Sequence, residues 1–267
     1  MWRAVLLSTS SSRPQWQLPS GVPRGVWEYT QSDHIAREYD EYFALNRLFE
    51  FDEQVLARYF CRPGLVVDLG CGTGRALVGL ARRGFHGVAV DLSRHMLGVV
   101  AEKARLENLD IQGVQANLVE LDCLSDQSAD YVICLFSTLG MIRGRAYRQR
   151  VLEHARRILK PGGLYVMHVH NFWFNLFDPL GRRWLAQHVL EKLRHNDVEW
   201  GDKFFHFHGI AQMFLHTFTE TEIRTALSQA GFKIRKWIPL NAERQRPLRR
   251  PWWFGRFRAN GWIVVCE

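Results

Sequence analysis

The chain has 267 residues, which is the length of one large domain or of one domain with an appendage. Hydrophobic residues make up 47% of it and charged residues 23%, proportions that are typical of globular proteins and exclude a disordered chain. Every apolar run is shorter than the roughly 18 residues that a membrane-spanning helix needs, so we expect no transmembrane segment and no signal peptide. The cysteines form no CxxC pair and are too sparse for a disulfide scaffold, which favours reduced thiols in a cytoplasmic protein.

The first 60 residues divide into an arm and a helical cap. Residues 1–31 contain a run of serines, several prolines and glycines, and little periodicity, so we predict a mobile arm. From Ser32 onwards apolar residues recur at helical spacing, and Asp52–Phe60 is typical of a short helix that Pro63 and Gly64 stop. We therefore expect a helical cap over residues 32–60.

Short apolar strands then alternate with helices. The predicted strands are Leu65–Leu69, Gly87–Asp91, Ile111–Ala116, Tyr131–Phe136, Leu164–His170, Lys233–Pro239 and Trp262–Cys266. The predicted helices are Arg75–Arg83, the segment from the N-cap Ser93 to Glu107, Ala146–Leu159 and Glu220–Ala230. This alternation indicates a parallel sheet that helices cover on both faces. Residues 171–217 interrupt it and are rich in histidine, tryptophan and phenylalanine.

A glycine-rich turn follows the first predicted strand. Its glycines Gly70, Gly72 and Gly74 have the spacing GxGxG, and Asp68 lies two residues before the first of them. Glycines permit a tight turn and let backbone N–H groups approach a ligand closely. An acidic residue below such a turn would repel a pyrophosphate and would suit a cationic ligand.

Two further polar residues end the next two strands. Asp91 ends the second strand, 17 residues after Gly74, where a carboxylate can accept hydrogen bonds from ribose hydroxyls. The third strand ends at Ala116-Asn117, where a side-chain amide can bind an adenine edge. The three strand ends together predict an adenosine site at the carboxyl edge of the sheet.

On these motifs the chain resembles the class I S-adenosylmethionine-dependent methyltransferases from residue 32 to residue 267. Six stretches match the family's motifs in the family's order, although the family more often has aspartate where this chain has Asn117. They are Val66–Arg75, Gly87–Leu97, Ala116-Asn117, Ala129–Phe136, Leu159–Gly163 and Phe218–Phe232. The resemblance implies a single Rossmann-like α/β domain over residues 32–267. Its seven-stranded, mainly parallel sheet would have an antiparallel last strand and helices on both faces.

The resemblance implies S-adenosylmethionine as the cofactor. The residues that we expect to bind it are Tyr39, Asp68, Gly70, Cys71, Gly72, Gly74, Asp91, Leu92, Met96, Asn117, Leu118 and Phe136. For Met96 and Phe136 a place in the hydrophobic core is an open alternative. We also expect the cap to bring Tyr29, Arg37 or Tyr39 near the cofactor.

Histidines are the candidate bases. His170 ends the fifth strand, where the acceptor would lie, and we name it as the candidate catalytic residue. His168 and His170 form one HxH pair, and His206 and His208 form another. No carboxylate cluster accompanies these pairs, and we expect no metal. Cys134 has no neighbouring proline, which argues against a cysteine nucleophile of the cytosine C5 type.

The segment Arg244–Arg258 carries six arginines among four aromatic residues and accounts for much of the net charge of +8. Arginine with aromatic neighbours can hold an anionic substrate, nucleic acid or lipid, and a solvated loop is the open alternative. We favour transfer of a methyl group to an oxygen, nitrogen or carbon of a small molecule, with residues 171–217 as an inserted lid. The alternatives are methylation of tRNA or another nucleic acid, and a non-catalytic cofactor-binding interaction subunit. The sequence leaves the oligomeric state open.

Overall fold

The computed structural model describes residues 14–44, 49–194 and 198–267. Its helices are α1 (Arg24–Gln31), α2 (Asp33–Ala44), α3 (Glu50–Tyr59), α4 (Arg75–Ala81), α5 (Arg94–Glu107), α6 (Arg145–Ile158), α7 (Pro179–Arg194), α8 (Glu220–Gln229) and α9 (Gly255–Arg258). Short 3₁₀ helices cover Gln15–Gln17, Thr138–Met141 and Phe172–Phe177. Among these described helices, none combines the length and the apolar character that crossing a bilayer requires.

The strands form a seven-stranded sheet and a separate hairpin. They are β1 (Leu65–Leu69), β2 (His86–Asp91), β3 (Ile111–Gln115), β4 (Ala129–Cys134), β5 (Leu159–His170), β6 (Asp202–Phe207), β7 (Ile210–His216), β8 (Ile234–Pro239) and β9 (Gly261–Cys266). The large sheet has the order β3-β2-β1-β4-β5-β9-β8, and β6 pairs with β7 alone. Strands β1 to β5 are parallel, whereas β9 runs antiparallel to both β5 and β8. The predicted fold class is confirmed, including the antiparallel last strand.

Side-chain hydrogen bonds cap the starts of two helices, and one of these caps, Ser93, is predicted from the sequence. Ser93 Oγ accepts a hydrogen bond from the N–H of Met96 and starts α5, and Thr219 Oγ does the same for Glu222 in α8. Gly231, with φ of +81°, follows the end of α8. These local hydrogen bonds explain why the predicted ends of the two helices agree with the structure to within a residue.

The largest differences between the predicted and observed strands lie in β4 and β5. Strand β4 ends at Cys134, because Phe136 and Ser137 have φ of +52° and +63° and turn the chain away from the sheet. Strand β5 begins at Leu159, directly after α6, so the predicted turn at 161–163 lies within this strand. An irregularity in the β4–β5 pairing between Ala129 and Tyr131 accommodates the extra residues.

The last part of the predicted arm belongs to the folded body. Residues 24–31 form α1, which packs on β7, and Val22 and Val26 are buried there. A Cβ atom at Gly25 would lie 2.0 Å from the carbonyl oxygen of Gln212, so only glycine permits this close approach. The arm prediction for residues 1–13 lies outside the described residues.

A buried charged cluster joins the inserted segment to the main sheet. Arg148 of α6 lies 2.5 Å from Glu199 and 3.5 Å from Glu222. His216, at the end of β7, lies 2.7 Å from Asp202 and 3.0 Å from Glu222. Burial opposes the charge of His216, but the hydrogen bonds to the two carboxylates outweigh it and raise its pKa above the ordinary value. Burial also acts against ionised Glu222, yet His216 and Arg148 lower the pKa of this carboxyl.

The raised pKa of His216 makes the stability of the fold depend on pH. Its contribution is complete below the unfolded value of about 6.5 and is lost as the pH rises through the higher folded value. The lowered pKa of Glu222 acts in a separate window, because its contribution is lost only as the pH falls below about 4.5. In urea titrations we expect the free energy of unfolding to fall from pH 6.5 upwards, and His216→Asn to flatten this slope.

At pH 6 the same substitution should cost about 3–5 kcal/mol, because it leaves buried carboxylates without their partner. His206→Asn, at an exposed position of β6 in the same hairpin, is the matched control and should keep the wild-type slope. Equal slopes for the wild type and His216→Asn above pH 6.5 would show that this cluster does not titrate as described.

Candidate functional site

A cavity lies at the carboxyl edge of β1, β2 and β4, beneath the helical cap. Its lining residues come from the cap, the glycine loop and the strand ends. They are Val22, Val26, Tyr29, Thr30, Tyr39, Phe49, Asp52, Glu53, Asp68, Gly70, Cys71, Gly72, Thr73, Arg75, Ala76, Asp91, Leu92, Met96, Asn117, Leu118, Leu135, Phe136, Thr138, Met141 and Ile142. The residues predicted to bind the cofactor are thus brought together, apart from Gly74. This glycine has φ of +75° and starts α4.

The glycine loop is shaped by positive φ angles that glycine tolerates. Gly70 has φ of +77°, and a Cβ atom there would lie 2.2 Å from the Thr138 side chain. Gly72 has φ of +54°, and a Cβ atom there would meet nothing within 4 Å. Gly70 therefore packs against the protein, whereas Gly72 leaves its open side to the cavity.

Asp91 fixes this loop to the start of α5. One carboxylate oxygen accepts from the N–H of Gly72 at 2.9 Å, and the other accepts from the N–H of Ser93 at 2.8 Å. Each oxygen retains acceptor capacity, because a carboxylate offers about four lone-pair directions. Burial raises the pKa of Asp91 above its ordinary value.

Asp68 lies deeper in the same cavity. Burial, and next the negative charge of Asp91, raise its pKa to about 8. No hydrogen bond joins its side chain to another described residue. A cationic group in the cavity would stabilise the ionised form of Asp68 and would relieve its repulsion with Asp91.

The end of the cavity beside α5 is mostly apolar. Met96 is buried and lines the cavity together with Leu92 and Leu118. The Asn117 amide donates to the carbonyl oxygen of Ser20 at 3.0 Å, while its oxygen accepts from the N–H of Val119 at 3.3 Å. Asn117 therefore joins the segment before α1 to the end of β3, and one amide hydrogen remains for a ligand.

The cap is fastened to the glycine loop through Asp40. Its carboxylate accepts from Thr73 Oγ1 at 2.6 Å and lies 2.5 Å from Lys103 Nζ. Tyr39 faces the cavity, and burial raises its pKa to about 12. Arg37 instead lies on the exposed side of α2, paired with Asp33 at 2.6 Å, and does not line the cavity.

Aromatic rings form the opposite end of the cavity. The rings of Phe49 and Phe136 lie 4.7 Å apart, and the guanidinium of Arg75 lies 3.9 Å from the centre of the Phe49 ring. Phe136 also meets His168 and His170 edge to face. This end thus combines an apolar wall with charged and polar groups.

Asp52 and His168 form a buried pair behind this wall. His168 Nδ1 lies 3.0 Å from one oxygen of Asp52, which assigns the proton to Nδ1 when the ring is neutral. The second oxygen of Asp52 and His168 Nε2 are both buried without a hydrogen-bond partner among the described residues. Of the two residues Asp52 lines the cavity, and its free oxygen is an acceptor for a ligand there.

His170 pairs with an arginine, whereas His168 pairs with a carboxylate. Its Nε2 accepts a hydrogen bond from the guanidinium of Arg244, and Lys203 also lies close enough to repel a proton. Burial first, then Arg244, lower the pKa of His170 well below its ordinary value. His170 is therefore neutral and already engaged, and a role as base requires Arg244 to move.

The second HxH pair, His206 and His208, lies at exposed positions of the hairpin. The one group in the described part of the chain with metal-ligand spacing is Glu199, Asp202 and His216. It belongs to the charged cluster above, where Arg148 already supplies a positive charge.

Several lining residues were not predicted from the sequence, among them Val22, Val26 and Asp52. The valines fell in the predicted arm and carry no motif. Asp52 had a usable signal, because the buried Val55 and Leu56 follow it at i+3 and i+4 and place it on the inner face of α3.

Comparison with known proteins shows what the chain is similar to. Residues 66–163 match the family model described as "Methyltransferase domain". A protein of Geobacillus sp. (strain WCH70) named as a methyltransferase is 33% identical over 106 residues, which are 40% of this chain and 42% of that protein. The tRNA N(3)-methylcytidine methyltransferase of Drosophila melanogaster is 24% identical over 208 residues, 74% of this chain and 59% of that protein. The chain thus spans less than half the length of the Geobacillus relative.

A solved structure shares the fold over most of its length. It is the 1,6-didemethyltoxoflavin-N1-methyltransferase of Burkholderia thailandensis with bound 1,6-didemethyltoxoflavin and S-adenosylhomocysteine. The match has a TM-score of 0.60 and 19% identity, and it covers 93% of this chain and 91% of that chain. Residues 66–163 are therefore similar to a methyltransferase domain, and the chain has the fold and strand order of a solved methyltransferase.

Proposed function

We propose that the protein transfers a methyl group from S-adenosylmethionine to an oxygen, nitrogen or carbon of a small molecule. The observation that carries this proposal is the single cavity that joins Asp68 and Asp91 at one end to Asp52 and Phe136 at the other. A methyl donor beside Asp68 and Asp91 and an acceptor beside Asp52 and Phe136 would meet inside the same cavity. Such positioning can supply much of the catalysis of a displacement reaction.

The residues present fit this cofactor. Gly72 leaves open space above the glycine loop, Asp91 has free acceptor capacity for ribose hydroxyls, and Asp68 lacks a cation. The bound cofactor supplies a methyl group that is already activated on a sulfonium. We propose that Asp68 holds the positive charge of the methionine part, while Met96, Leu92 and Leu118 enclose the adenine.

At the acceptor end we propose that Asp52 receives the proton of the attacking group. Its second oxygen is buried without a hydrogen-bond partner among the described residues, and Asp52 lines the cavity together with Phe49 and Phe136. A hydrogen bond made in such a buried place is strong. His168 holds the other oxygen in place and is a positioning residue. His170 and Lys203 line a separate cavity, although the His170 ring lies 6.3 Å from the Phe136 ring. With Arg244 they would offer positive charge to an acceptor that extends there, which suits an anionic group.

The cap supports a small acceptor over a polymer. Asp40 fastens α2 to the glycine loop, and Asn117 fastens the segment before α1, so the donor end is covered by the chain itself. The structural relative from Burkholderia is named for a small-molecule substrate. The Drosophila relative is named for tRNA, and exposed arginines at 249–258 favour that alternative. The intact pair of Asp68 and Asp91 argues against a degenerate subunit that no longer binds the cofactor.

The class of acceptor can be found with labelled cofactor. The protein is incubated with S-adenosylmethionine labelled in the methyl group and a cell extract, which is then split into small-molecule, RNA and protein fractions. We expect label among the small molecules together with release of S-adenosylhomocysteine. Label confined to RNA would replace the small-molecule proposal by the tRNA alternative, and no release from any fraction would favour the non-catalytic subunit.

Binding of a cationic ligand should depend on pH through Asp68. Because its pKa is about 8 in the free protein, Asp68 is mostly protonated at neutral pH and must lose this proton to pair with an ammonium group. Calorimetry should show that the affinity for S-adenosylhomocysteine rises between pH 6 and pH 8, by up to about tenfold per unit. Asp68→Asn should remove this rise.

Adenosine, which has no ammonium group, is the matched control ligand for that experiment. Its affinity should change little over the same range, since it lacks the group that pairs with Asp68. A rise of equal size for adenosine would assign the titration to another residue, such as Asp91.

The glycine loop offers a test that separates binding from stability. Gly72→Ala places a methyl group in the open space of the cavity, and we expect the affinity for S-adenosylhomocysteine to fall by at least about tenfold, as expected for a blocked ligand contact. Gly162→Ala is the matched control, because Gly162 also has positive φ and open space around its Cα but does not line the cavity. Both variants should lose about 1 kcal/mol of stability to backbone strain. Equal affinities for the two variants would refute the cofactor position.

The proton acceptor can be distinguished with the acceptor recovered from the labelling experiment. Asp52→Asn keeps the shape of the side chain and should lower kcat by roughly 10²–10⁴-fold, while the affinity for S-adenosylhomocysteine stays within about threefold of wild type. His170→Asn should change KM more than kcat. The reverse pattern, with the loss of kcat in His170→Asn, would identify His170 as the base and Asp52 as a structural residue.

A further inference from the structure

Large apolar side chains are exposed on two neighbouring parts of the surface. Trp252 is 80% exposed and Phe254 is 63% exposed in the loop before α9. Phe177 is 56% exposed and Leu180 is 75% exposed where the 3₁₀ helix Phe172–Phe177 meets α7. Groups of exposed side chains of this size are uncommon on monomeric proteins and mark binding surfaces.

The two parts belong to one surface. Helix α9 packs against the 3₁₀ helix Phe172–Phe177, and this helix packs in turn against α7. The rings of Trp173 and Phe257 lie 5.4 Å apart, and the Asn171 amide donates to the carbonyl oxygen of Arg256 at 2.8 Å. We call this surface the apolar-basic face and define it by Phe177, Leu180, Trp252, Trp253, Phe254 and the arginines Arg182, Arg249, Arg250, Arg256 and Arg258.

The arginines stand directly beside the apolar side chains. Arg258 donates to the carbonyl oxygen of Trp253 at 3.0 Å, and its guanidinium lies 4.9 Å from the centre of the Trp253 ring. Arg182 donates to the carbonyl oxygen of Leu176 at 3.1 Å. Residues 244–258 contain six arginines and no acidic residue. The neighbouring acids are engaged, since Asp178 accepts from the N–H of Gly181 and Glu220 pairs with Arg224.

We propose that the apolar-basic face docks on an anionic lipid bilayer. Tryptophan and phenylalanine favour the boundary between headgroups and acyl chains, and arginines at the same level bind lipid phosphates. Stable attachment to a membrane surface requires both apolar insertion and a basic patch, and this face supplies both. Leu180 distinguishes it from a nucleic-acid interface, because an aliphatic side chain gives no stacking surface for bases.

The test uses the full chain without cofactor, so its outcome is independent of methyl transfer. Protein is sedimented with vesicles of phosphatidylcholine alone, or of phosphatidylcholine with roughly a third of phosphatidylglycerol, an anionic lipid. We expect binding to the anionic vesicles, weak binding to the neutral ones, and a loss at high salt because the charges are exposed. Absence of binding to the anionic vesicles would overturn the proposal.

Paired variants separate the two contributions. Trp252→Ser with Phe254→Asn removes the side chains that would insert into the bilayer, and it should lower partitioning into anionic vesicles by about tenfold or more. Arg249→Gln with Arg256→Gln removes positive charge, and it should abolish the preference for anionic over neutral vesicles. Leu106→Ser with Arg105→Gln is the control, because Leu106 is 67% exposed on α5, at the opposite edge of the sheet. All exchanged residues are exposed, so unchanged thermal unfolding should accompany every result.

If the apolar-basic face binds nucleic acid or a second copy of the chain instead of lipid, the experiments should give different results. If the face binds nucleic acid, the protein should bind labelled tRNA, Arg249→Gln with Arg256→Gln should weaken this binding, and the protein should stay in the supernatant when the vesicles are sedimented. If the face binds a second copy of the chain, analytical ultracentrifugation should show a dimer that forms with rising protein concentration. Trp252→Ser with Phe254→Asn should dissociate this dimer. Either result without binding to the anionic vesicles, or equal vesicle binding by the apolar pair and the control pair, would overturn the lipid proposal.

Discussion

Asp91 holds together the two turns on which the candidate site depends. One of its oxygens binds the N–H of Gly72 in the glycine loop, and the other binds the N–H of Ser93 at the start of α5. The tips of two adjacent parallel strands are thereby locked to each other through one carboxylate. Burial and, next, the negative charge of the same carboxylate raise the pKa of Asp68, so the residue that shapes the site also prepares it electrostatically for a cation.

The cap depends on the same two turns. Ser93 Oγ donates to the carbonyl oxygen of Thr30 at 2.7 Å, and Thr73 in the glycine loop donates to Asp40. Helices α1 and α2 are therefore held by the residues that follow Asp91 and Gly72. Gly25 adds a third contact by allowing α1 to lie against β7. A ligand between the cap and the sheet edge would touch both layers at once, which couples its binding to closure of the cap.

The sequence predicted those parts of the protein that local rules determine. Strand periodicity, the N-cap Ser93 and the GxGxG spacing each act within a few residues, and the structure places them as expected. The identity of the catalytic base, in contrast, does not follow from local rules. Whether His168 or His170 has a free nitrogen depends on Asp52 and Arg244, which lie 116 and 74 residues away along the chain. Contacts of that separation arise from the tertiary fold, and no local pattern predicts them.

Charge differs between the cavity and the region next to it. Asp91 and, once it is ionised, Asp68 give the cavity negative potential, whereas Arg244 and Lys203 give positive potential to the region around His170, which lines a separate cavity together with Lys203. A positively charged donor would be attracted to the first region, and an anionic group of an acceptor would be attracted to the second. Transfer of the methyl group removes the positive charge from the donor's sulfur, so Asp68 and Asp91 attract the product less than they attract the donor. The arrangement that orients the two substrates therefore also favours release of the spent donor.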